Sequence, residues 1–339
     1  MPARMQTQVS LRPYNTFGID VPARWWVEVE NERDALEFIM DNAHRSQPIL
    51  VLGGGSNLLF TGPVEGIVLR AAIRGIELLE SDAGTALVEA GAGEPWHGLV
   101  EWAIAQGLGG IENLSLIPGT VGAAPIQNIG AYGAELQDVF DSLDAMHLET
   151  GAVHRFDRAA CRFGYRESIF KQELKGKYLI LRVRLRLSRT PVLNTRYGDI
   201  AQELAAIGGE PDLRKVSEAV CRIRRSKLPD PAEIGNAGSF FKNPSIPAAQ
   251  AAALQAQHPQ MPAYPQADGS VKVPAGWLIE ACGWKGRREG ACGVHARQAL
   301  VLVNYGGAAG AEILALSARI QADVQARFGI ALEREVNVI

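Results

Sequence analysis

Residues 49–57 read Ile-Leu-Val-Leu-Gly-Gly-Gly-Ser-Asn, an apolar run followed by three glycines. The apolar run predicts a buried strand, Ile49–Leu52, and the glycines predict a tight turn after it. Ahead of this strand, Asn31 is a typical N-cap residue for a helix with an apolar face made of Ala35, Leu36, Phe38, Ile39 and Ala43. Helix, buried strand and glycine turn together indicate an α/β unit whose turn can approach a ligand.

The glycine turn, Gly53–Asn57, fits neither of two common nucleotide-binding fingerprints. No Gly-Lys-Ser/Thr follows at the spacing of a phosphate-binding P-loop. Leu58 stands where the dinucleotide-binding fingerprint has its third glycine. The successive backbone N–H groups of the turn can still form a nest for an anion, but an ordinary tight turn explains the same residues. The turn alone therefore leaves both interpretations open.

A long loop, residues 109–133, is rich in Gly, Pro, Ala and Asn and has little periodicity. Its last part reads Ser115-Leu-Ile-Pro-Gly-Thr-Val-Gly-Ala-Ala-Pro-Ile-Gln-Asn-Ile-Gly-Ala-Tyr-Gly133. Loops of this length are uncommon in compact domains and are often functional. Glycines allow close backbone approach, and the amides of Gln127 and Asn128 can hydrogen-bond the edge of a flat heteroaromatic ring. We therefore predict that this loop contacts a cofactor.

The remaining elements follow from periodicity and turn residues. We predict strands at Ile67–Leu69, Ile76–Leu79, Ala86–Ala90, Tyr178–Leu187, 299–303 and Ile330–Ile339, and helices at 96–104, Pro211–Lys227, 247–257, 275–281 and 310–328. Arg182, Arg184 and Arg186 alternate along one strand, which predicts a solvated face there. Pro229-Asp230-Pro231 breaks the pattern and predicts a domain boundary.

The overall composition places the chain among ordinary globular proteins. It has 339 residues, of which 47% are hydrophobic and 21% charged, and a net charge of −3. This length is typical of two or three domains, and the charge balance speaks against nucleic-acid binding. No apolar run reaches the length of a membrane span, and the first residues lack the apolar core of a secretory signal. We therefore expect a soluble, cytoplasmic protein.

The four cysteines do not form the framework of a small disulfide-stabilised domain. Cys282, Cys292 and His295 have a spacing that supplies three metal ligands but no clear fourth. We therefore expect buried thiols, a structural His295 and no metal site.

Further motifs accompany the two glycine-rich segments, in one order along nearly the whole chain. They are YNTFGID (14–20), FGYRES (163–168), KLPDP (227–231), GSFFKNP (238–244), AGWLIE (275–280), GVH (293–295) and LEREV (332–336). Together these segments resemble the MurB family of UDP-N-acetylenolpyruvoylglucosamine reductases. The segments TRYGD (195–199) and YPQADGS (264–270) resemble the longer type within that family, in which a tyrosine closes over the substrate.

The resemblance implies an α+β fold. An FAD-binding domain of the vanillyl-alcohol-oxidase (PCMH) type, about residues 17–190, is expected to comprise two α/β subdomains, 1–66 and 67–228. A C-terminal α+β substrate-binding domain, 229–339, follows, and its last strand, 330–339, is expected to return near the site. The chain is expected to act as a monomer.

The resemblance also implies the chemistry. NADPH reduces non-covalently bound FAD, and hydride then passes from flavin N5 to the vinyl CH2 of UDP-N-acetylglucosamine enolpyruvate. The product, UDP-N-acetylmuramate, serves peptidoglycan synthesis and thus cell-wall biogenesis, cell shape and cell division. The residues expected to contact FAD are Gly53, Gly54, Gly55, Ser56, Asn57, Ser115, Pro118, Gly119, Thr120, Gly122, Gln127, Asn128, Gly130 and Tyr132.

Three residues match the catalytic positions of the family. Hydride addition creates an enolate, which Arg166 and a protonated Glu335 can stabilise by donating hydrogen bonds, while Ser239 protonates the carbanionic carbon. Glu333 projects to the same face as Glu335, so only the family motif selects Glu335.

Tyr197, Lys227, Asn243 and Tyr264 match substrate-binding positions. Arg224 faces either phosphates of the ligands or simply the end of its helix, where cations are favoured.

Two other functions are consistent with parts of this pattern. An oxidase of the same superfamily would use oxygen and an alcohol, but Ser239 and Glu335 would then lack roles. A nucleotide-sugar-binding regulator without turnover would be expected to have lost Arg166, Ser239 or Glu335, yet all three are present.

Overall fold

The structure is a computed structural model that describes residues 5–41, 46–197 and 199–339. The chain divides into two units. The first consists of Met1–Val9, Pro22–Gly55 and Val64–Ser226, and the second of Ser10–Val21, Ser56–Pro63 and Lys227–Ile339. Ala43, which was expected on the buried face of the first helix, lies outside the described residues.

The described chain contains both strands and helices. The strands are β1 (Gln6–Ser10), β2 (Pro22–Val29), β3 (Ile49–Leu52), β4 (Leu58–Leu59), β5 (Val64–Ala71), β6 (Ile76–Ser81), β7 (Thr85–Gly91), β8 (Gly130–Ala131), β9 (Ala134–Glu135), β10 (Phe140–His147), β11 (Val153–Asp157), β12 (Tyr178–Ser188), β13 (Gly235–Ser239), β14 (Ser245–Pro247), β15 (Tyr264–Pro265), β16 (Ser270–Lys272), β17 (Arg288–Glu289), β18 (Cys292–Val294), β19 (Val301–Asn304) and β20 (Asn337–Val338). The helices are α1 (Glu32–Met40), α2 (Trp96–Ala105), α3 (Arg158–Cys161), α4 (Ile200–Ile207), α5 (Leu213–Lys227), α6 (Ala248–Gln257), α7 (Ala275–Ala281) and α8 (Gly310–Phe328).

The first unit begins with a four-stranded sheet in the order β1-β2-β5-β3. The central strand β5 pairs in parallel with β2 and with β3. Ile67, Val68 and Leu69 are consecutive in β5 and all fully buried, as is typical of a parallel strand covered on both faces. The predicted strand Ile49–Leu52 is confirmed with the same bounds as β3, but its predicted burial holds only for Leu52, since the other three residues are half-buried.

Helix α1 is capped as predicted, because the Asn31 side chain accepts a hydrogen bond from the Asp34 N–H at 2.9 Å. Ala35, Phe38 and Ile39 form its buried stripe. The prediction was wrong for Leu36, which stays 40% exposed.

The first unit also contains a five-stranded antiparallel sheet, in the order β11-β10-β12-β7-β6, and the two-stranded sheet β8-β9. The predicted solvated face of β12 is wrong at Arg184, whose side chain is only 8% exposed. Arg184 donates hydrogen bonds to both Asp144 oxygens, at 3.0 and 2.6 Å, and lies 2.6 Å from a Glu89 oxygen. Carboxylates on the two neighbouring strands thus neutralise a guanidinium that could not be buried alone.

Helices α4 and α5 pack on each other through a second apolar cluster in the first unit. The cluster consists of Ile200, Leu204, Val216, Ala219, Val220 and Ile223. Val216, Val220 and Ile223 form the inward face of α5. Among the described residues, no helix is long and apolar enough to cross a membrane.

The second unit contains the antiparallel sheet β13-β19-β18-β17 and the small sheet β14-β16-β15. Its longest helix, α8, has the predicted bounds and ends at Gly329, whose φ of +66° favours glycine.

The predicted final strand, Ile330–Ile339, is wrong for most of its length. Only Asn337–Val338 form a strand, paired in parallel with Leu58–Leu59. Residues 330–333 alternate between buried and exposed positions, but the backbone of the segment pairs with residues 240–242 through an isolated bridge between Phe241 and Arg334 and two flanking hydrogen bonds.

Candidate active site

In the first unit, the glycine turn packs directly against the middle of the long loop. A Cβ atom at Gly54 would lie 2.9 Å from the Gly119 Cα, and one at Gly53 would lie 2.6 Å from Thr120 Oγ1. Gly55 has a φ of +63°, which other residues rarely adopt. The structure thus brings together the two segments that the sequence singled out as cofactor-binding.

Backbone hydrogen bonds place the loop there. The Trp96 N–H donates to the Gly119 carbonyl at 3.0 Å, and the Val121 N–H donates to the Glu94 carbonyl at 2.8 Å. The Thr120 Oγ1 atom is buried and has no hydrogen-bond partner among the described residues. A buried hydroxyl without a partner is costly, so this atom and the two crowded glycines have the features of a surface built to receive a polar ligand.

Arg166 lies in a turn that is fastened to the end of the same loop. Arg166 Nη2 donates to the Gly130 carbonyl at 2.5 Å, and Ser168 Oγ donates to the Ile126 carbonyl at 2.7 Å. The Asn128 side-chain amide donates to the Gly164 carbonyl at 3.0 Å. The predicted catalytic arginine and the predicted cofactor loop are therefore neighbours within one unit.

Backbone strain is concentrated in this region. Leu116, Asn128, Tyr132 and Arg166 all have positive φ, between +42° and +59°, although none is glycine. Such conformations persist only where the surrounding structure enforces them, and they often cluster at functional sites. Local sequence patterns do not reveal them.

The same region is positively charged. Burial lowers the pKa of Arg224, and the charge of Arg166 lowers it further, while Tyr132 and Cys221 have the opposite effect. Arginine stays protonated despite such shifts, so two guanidinium groups are held near each other. This arrangement favours an anionic ligand.

Tyr197 also lies in the first unit and is 58% exposed. Its ring packs edge-to-face on the ring of Tyr132, with centroids 6.4 Å apart. The residue predicted to close over a substrate therefore lies beside the end of the cofactor loop.

Two residues that were expected to contact FAD direct their side chains into the protein. The Ser115 hydroxyl donates to the Glu112 carbonyl at 2.6 Å and lies 2.7 Å from the Ser217 hydroxyl. The Asn128 side chain is fully buried; besides Gly164 it bonds Glu135 Oε2 at 2.9 Å and accepts from the Gln137 N–H at 3.1 Å. Both side chains hold the shape of the loop.

The other expected contacts differ in exposure. Pro118 is exposed, Gln127, Gly130 and Tyr132 are half-buried, and Gly122 is buried. A Cβ atom at Gly122 would lie 2.5 Å from the Ala92 Cβ. Close packing against the segment that contains Ala92 therefore requires glycine at position 122.

In the second unit, Ser239 is the last residue of β13, opposite Val301. Gly238, with a φ of +68°, forms an irregularity between Asn236 and Ser239. The next residue, Phe240, is fully buried and donates its N–H to the Leu300 carbonyl at 2.8 Å. This anchoring leaves Ser239 half-buried at the edge of the core.

Glu335 lies on the adjacent segment of the second unit, where its N–H donates to the Phe240 carbonyl at 2.8 Å. Asn57 donates its side-chain amide to the Glu335 carbonyl at 3.3 Å. Glu333, in contrast, is 71% exposed and pairs with Lys242 at 2.5 Å. The structure thus distinguishes two glutamates that alternation could not separate. Ser56 and Asn57 also belong to this unit.

The remaining predicted ligand residues of the second unit are spread over several elements. Lys227 is the last residue of α5, and Tyr264 is 56% exposed on β15. Asn243 Oδ1 accepts a hydrogen bond from the Ala275 N–H at 2.9 Å and so holds the first turn of α7.

Three of the four cysteines are buried, as expected. Cys161, Cys221 and Cys292 are buried and Cys282 is half-buried. Burial raises the pKa of Cys161 to about 12. Burial also lowers the pKa of His295, whose Nδ1 lies 3.4 Å from the Arg297 nitrogen. In the described part of the chain, no three His, Cys, Asp or Glu residues are grouped to hold a metal ion.

Comparison with known proteins bears on this site directly. Residues 23–157 match the family model described as an FAD binding domain. The match covers the glycine turn and the long loop, where the unpartnered Thr120 hydroxyl and the crowded glycines fit such a ligand. Residues 230–339 match the C-terminal domain of UDP-N-acetylenolpyruvoylglucosamine reductase. Fold and site together define an FAD-containing oxidoreductase.

Full-length relatives make the assignment more specific. The chain is 56% identical to the UDP-N-acetylenolpyruvoylglucosamine reductase of Pseudomonas aeruginosa and 54% identical to that of Pseudomonas putida, with both chains of each pair covered completely. The crystal structure of the MurB reductase from Thermus caldophilus is 27% identical, with a TM-score of 0.70 over 100% of this chain and 99% of the other. The chain belongs to the MurB family of UDP-N-acetylenolpyruvoylglucosamine reductases. The expected α+β fold, with an FAD-binding domain of the vanillyl-alcohol-oxidase type and a separate C-terminal domain, is confirmed.

Sequence reasoning missed the residues that support the loop from behind. Trp96 Nε1 donates to the Leu114 carbonyl at 3.0 Å, and His97 Nδ1 accepts from the Leu116 N–H at 3.0 Å. Nothing in the spacing of α2 distinguishes these residues from ordinary helix positions, because their partners lie 18 and 19 residues further along the chain.

Proposed function

We propose that the protein catalyses the NADPH-dependent reduction of UDP-N-acetylglucosamine enolpyruvate to UDP-N-acetylmuramate. The observation that carries this proposal is the 56% identity, over the complete chain, to a reductase named for this substrate. We further propose that the reaction belongs to cytoplasmic peptidoglycan precursor synthesis and that the enzyme works as a monomer, divided functionally at about residue 228.

The proposed FAD-binding surface is formed by the glycine turn Gly53–Asn57 and by the loop that includes Pro118–Thr120 and Gln127–Tyr132. Its support is the backbone contact between Gly54 and Gly119, together with the buried, unpartnered Thr120 hydroxyl. Backbone N–H groups in such a turn suit a pyrophosphate. Ser115 and Asn128 contribute by holding the loop in shape. When bound, FAD supplies the hydride that it has received from NADPH.

Arg166 is proposed to hold the carboxylate of the enolpyruvyl group. A guanidinium can bind a carboxylate through two parallel hydrogen bonds and stays charged at all relevant pH values. Its fastening to Gly130 at 2.5 Å fixes the direction from which it approaches. When negative charge develops on the enolate, the preorganised arginine stabilises it.

Ser239 and Glu335 complete the proposed catalytic set. Ser239 donates its hydroxyl proton to the substrate carbon next to the carboxylate and regains a proton from solvent. Glu335, in its protonated form, donates a hydrogen bond to the enolate. The support is that both lie on adjacent segments joined by the bond from the Glu335 N–H to the Phe240 carbonyl.

Four further residues are proposed to bind the substrate: Lys227, Asn243, Tyr197 and Tyr264. Lys227 carries the charge suited to a diphosphate, and the Asn243 amide can donate to a phosphate or sugar oxygen. Exposed tyrosines at positions 197 and 264 provide flat, amphipathic surfaces for a nucleotide sugar.

The proposal is tested by following both half-reactions, reduction of the flavin and its reoxidation by the substrate, in one cuvette. The purified protein is reduced anaerobically with NADPH, UDP-N-acetylglucosamine enolpyruvate is added, and the visible flavin spectrum is recorded. We expect bleaching by NADPH, and then return of the oxidised band only when the substrate is present. A flavin that reduces but ignores the substrate contradicts the proposed reaction and favours an oxidase. A wild-type protein without bound FAD contradicts the proposed cofactor site.

A further inference from the structure

Leu116 adopts a backbone conformation that leucine avoids. Its φ of +59° lies in the left-handed region, where the side chain of an L-residue crowds its own carbonyl. Both backbone polar groups of Leu116 are held by side chains. Its N–H donates to His97 Nδ1 at 3.0 Å, and its carbonyl accepts from Arg224 Nε at 3.2 Å. Side chains from α2 and α5 therefore maintain the strained turn.

The neighbouring residues are held by the same two helices. Trp96 of α2 donates Nε1 to the Leu114 carbonyl at 3.0 Å. Ser217 of α5 places its hydroxyl 2.7 Å from that of Ser115. Residues 114–116 are thus fixed at consecutive positions from both sides.

The fixed turn leads directly into the proposed flavin surface. Pro118, Gly119 and Thr120 follow Leu116 within four residues, and Gly119 accepts a hydrogen bond from the Trp96 N–H at 3.0 Å. Because Gly119 packs on Gly54 with no room for a Cβ atom, a small rotation at Leu116 would change this contact.

We propose that His97 is a positioning residue for FAD binding, which acts by accepting the Leu116 N–H with its unprotonated Nδ1. The inference rests on the proposed FAD-binding role of the turn and loop. His97 reaches the loop through the hydrogen bond that it accepts from the Leu116 N–H.

The hydrogen bond requires a neutral imidazole with its proton on Nε2, which lies 3.6 Å from Glu101 Oε1. The charged groups that face His97 are Glu101 on its own helix and Arg224 and Arg225 on α5. Burial lowers the pKa of His97; Glu101 opposes this, whereas Arg225 and Arg224 add to it. The contribution of His97 is therefore fully present above its ordinary pKa of about 6.5 and is lost as pH falls through the lower pKa of the folded protein.

The test measures how tightly the apoprotein binds FAD, by flavin fluorescence, between pH 8 and pH 5. This measurement does not depend on turnover. His97→Ala removes the acceptor, and we expect FAD binding about fivefold to tenfold weaker at pH 8. His97→Asn keeps an acceptor near the position of Nδ1 but cannot be protonated. We expect it to bind FAD nearly as the wild type does at pH 8, and to lose less affinity than the wild type toward pH 5.

His147→Asn is the matched control. His147 also accepts a backbone N–H through Nδ1, from Glu149 at 3.3 Å, but lies outside the loop contacts. We expect it to keep the wild-type pH profile.

The outcomes separate the inference from the proposed function. Wild-type affinity in His97→Ala, or a pH profile of His97→Asn identical to that of the wild type, overturns the inference alone. A wild-type protein that does not bind FAD at any pH overturns both. Thermal unfolding reveals whether His97→Ala folds. If it does not fold, the pH dependence of FAD binding by His97→Asn tests the inference by itself.

Discussion

Gly54 and Gly119 are separated by 65 positions in the sequence, yet a Cβ atom at Gly54 would lie 2.9 Å from the Gly119 Cα. The nearest atoms belong to the backbone of Gly119, so a side chain at position 54 could fit only if the main chain shifted. This contact joins the turn after β3 to the long loop within the first unit, and it explains why both segments are rich in glycine.

Gly54→Ala should therefore weaken FAD binding strongly, by roughly tenfold or more, because a displacement of a few tenths of an ångström at Gly119 alters the proposed binding surface. The measurement is the ratio of flavin absorbance to protein absorbance after purification, followed by titration with FAD. Gly98→Ala is the control, since its nearest contact is Pro95 Cβ at 3.8 Å and alanine favours the helix α2. Equal flavin content in both variants would argue against the assigned role of this contact.

Ser239→Ala should abolish reoxidation of the flavin by the substrate while leaving reduction by NADPH nearly unchanged. The reason is that only the second half-reaction needs a proton donor at the substrate carbon. Stopped-flow absorbance resolves the two steps. Ser245→Ala, an exposed serine on β14, should match the wild type in both. Similar losses in the two half-reactions of Ser239→Ala would refute the role of Ser239 as the acid.

Glu335→Ala should lower the rate of substrate reduction by about a hundredfold to a thousandfold, the usual effect of removing one donor to a developing oxyanion. Glu335→Gln should lose less, because its amide can still donate a hydrogen bond. Single-turnover kinetics with the prereduced enzyme measure both. Glu333→Gln should be close to the wild type, since the Glu333 side chain is 71% exposed. The assignment fails if the Glu333 variant is the slower enzyme.

Asp144 should make stability depend on pH in the acid range. Burial of Asp144 opposes its ionisation, but hydrogen bonds from Arg184 and Arg155 outweigh burial and lower the pKa to about 2. The lowered pKa means that the stabilisation is present above the ordinary value of about 3.9 and is lost as pH falls from there toward 2.

Urea unfolding of the wild type and of Asp144→Asn at pH 6 and pH 3 measures this effect. We expect Asp144→Asn to lose about 2–4 kcal/mol at pH 6, because Arg184 is left without its main partner, and to differ less from the wild type at pH 3. Asp141→Asn on the same strand removes a more exposed pair with Arg186 and should cost less than about 1 kcal/mol. A difference for Asp144→Asn that does not change with pH would contradict the linkage.

Much of the local structure could be predicted because short-range sterics and periodicity determine it. The bounds of β3, α7 and α8 follow from apolar runs and from turn residues. The glycine-rich segments could be singled out as candidates for ligand binding for the same reason, since glycines that allow close backbone approach are visible in the sequence. Motifs in a constant order were sufficient to identify the family.

Only the tertiary structure shows which side chains are buried or paired by partners that lie far away in the sequence. Arg184 is buried because the carboxylate of Asp144, 40 residues away in the sequence, accepts its hydrogen bonds, and Asn128 faces inward because Gly164 accepts its amide. Residues 330–336 do not form a strand, because residues 240–242 contact them through a single isolated bridge rather than a ladder. Charge neutralisation, hydrogen-bond satisfaction and backbone strain are properties of contacts between such distant positions, so they appear only when the chain has folded.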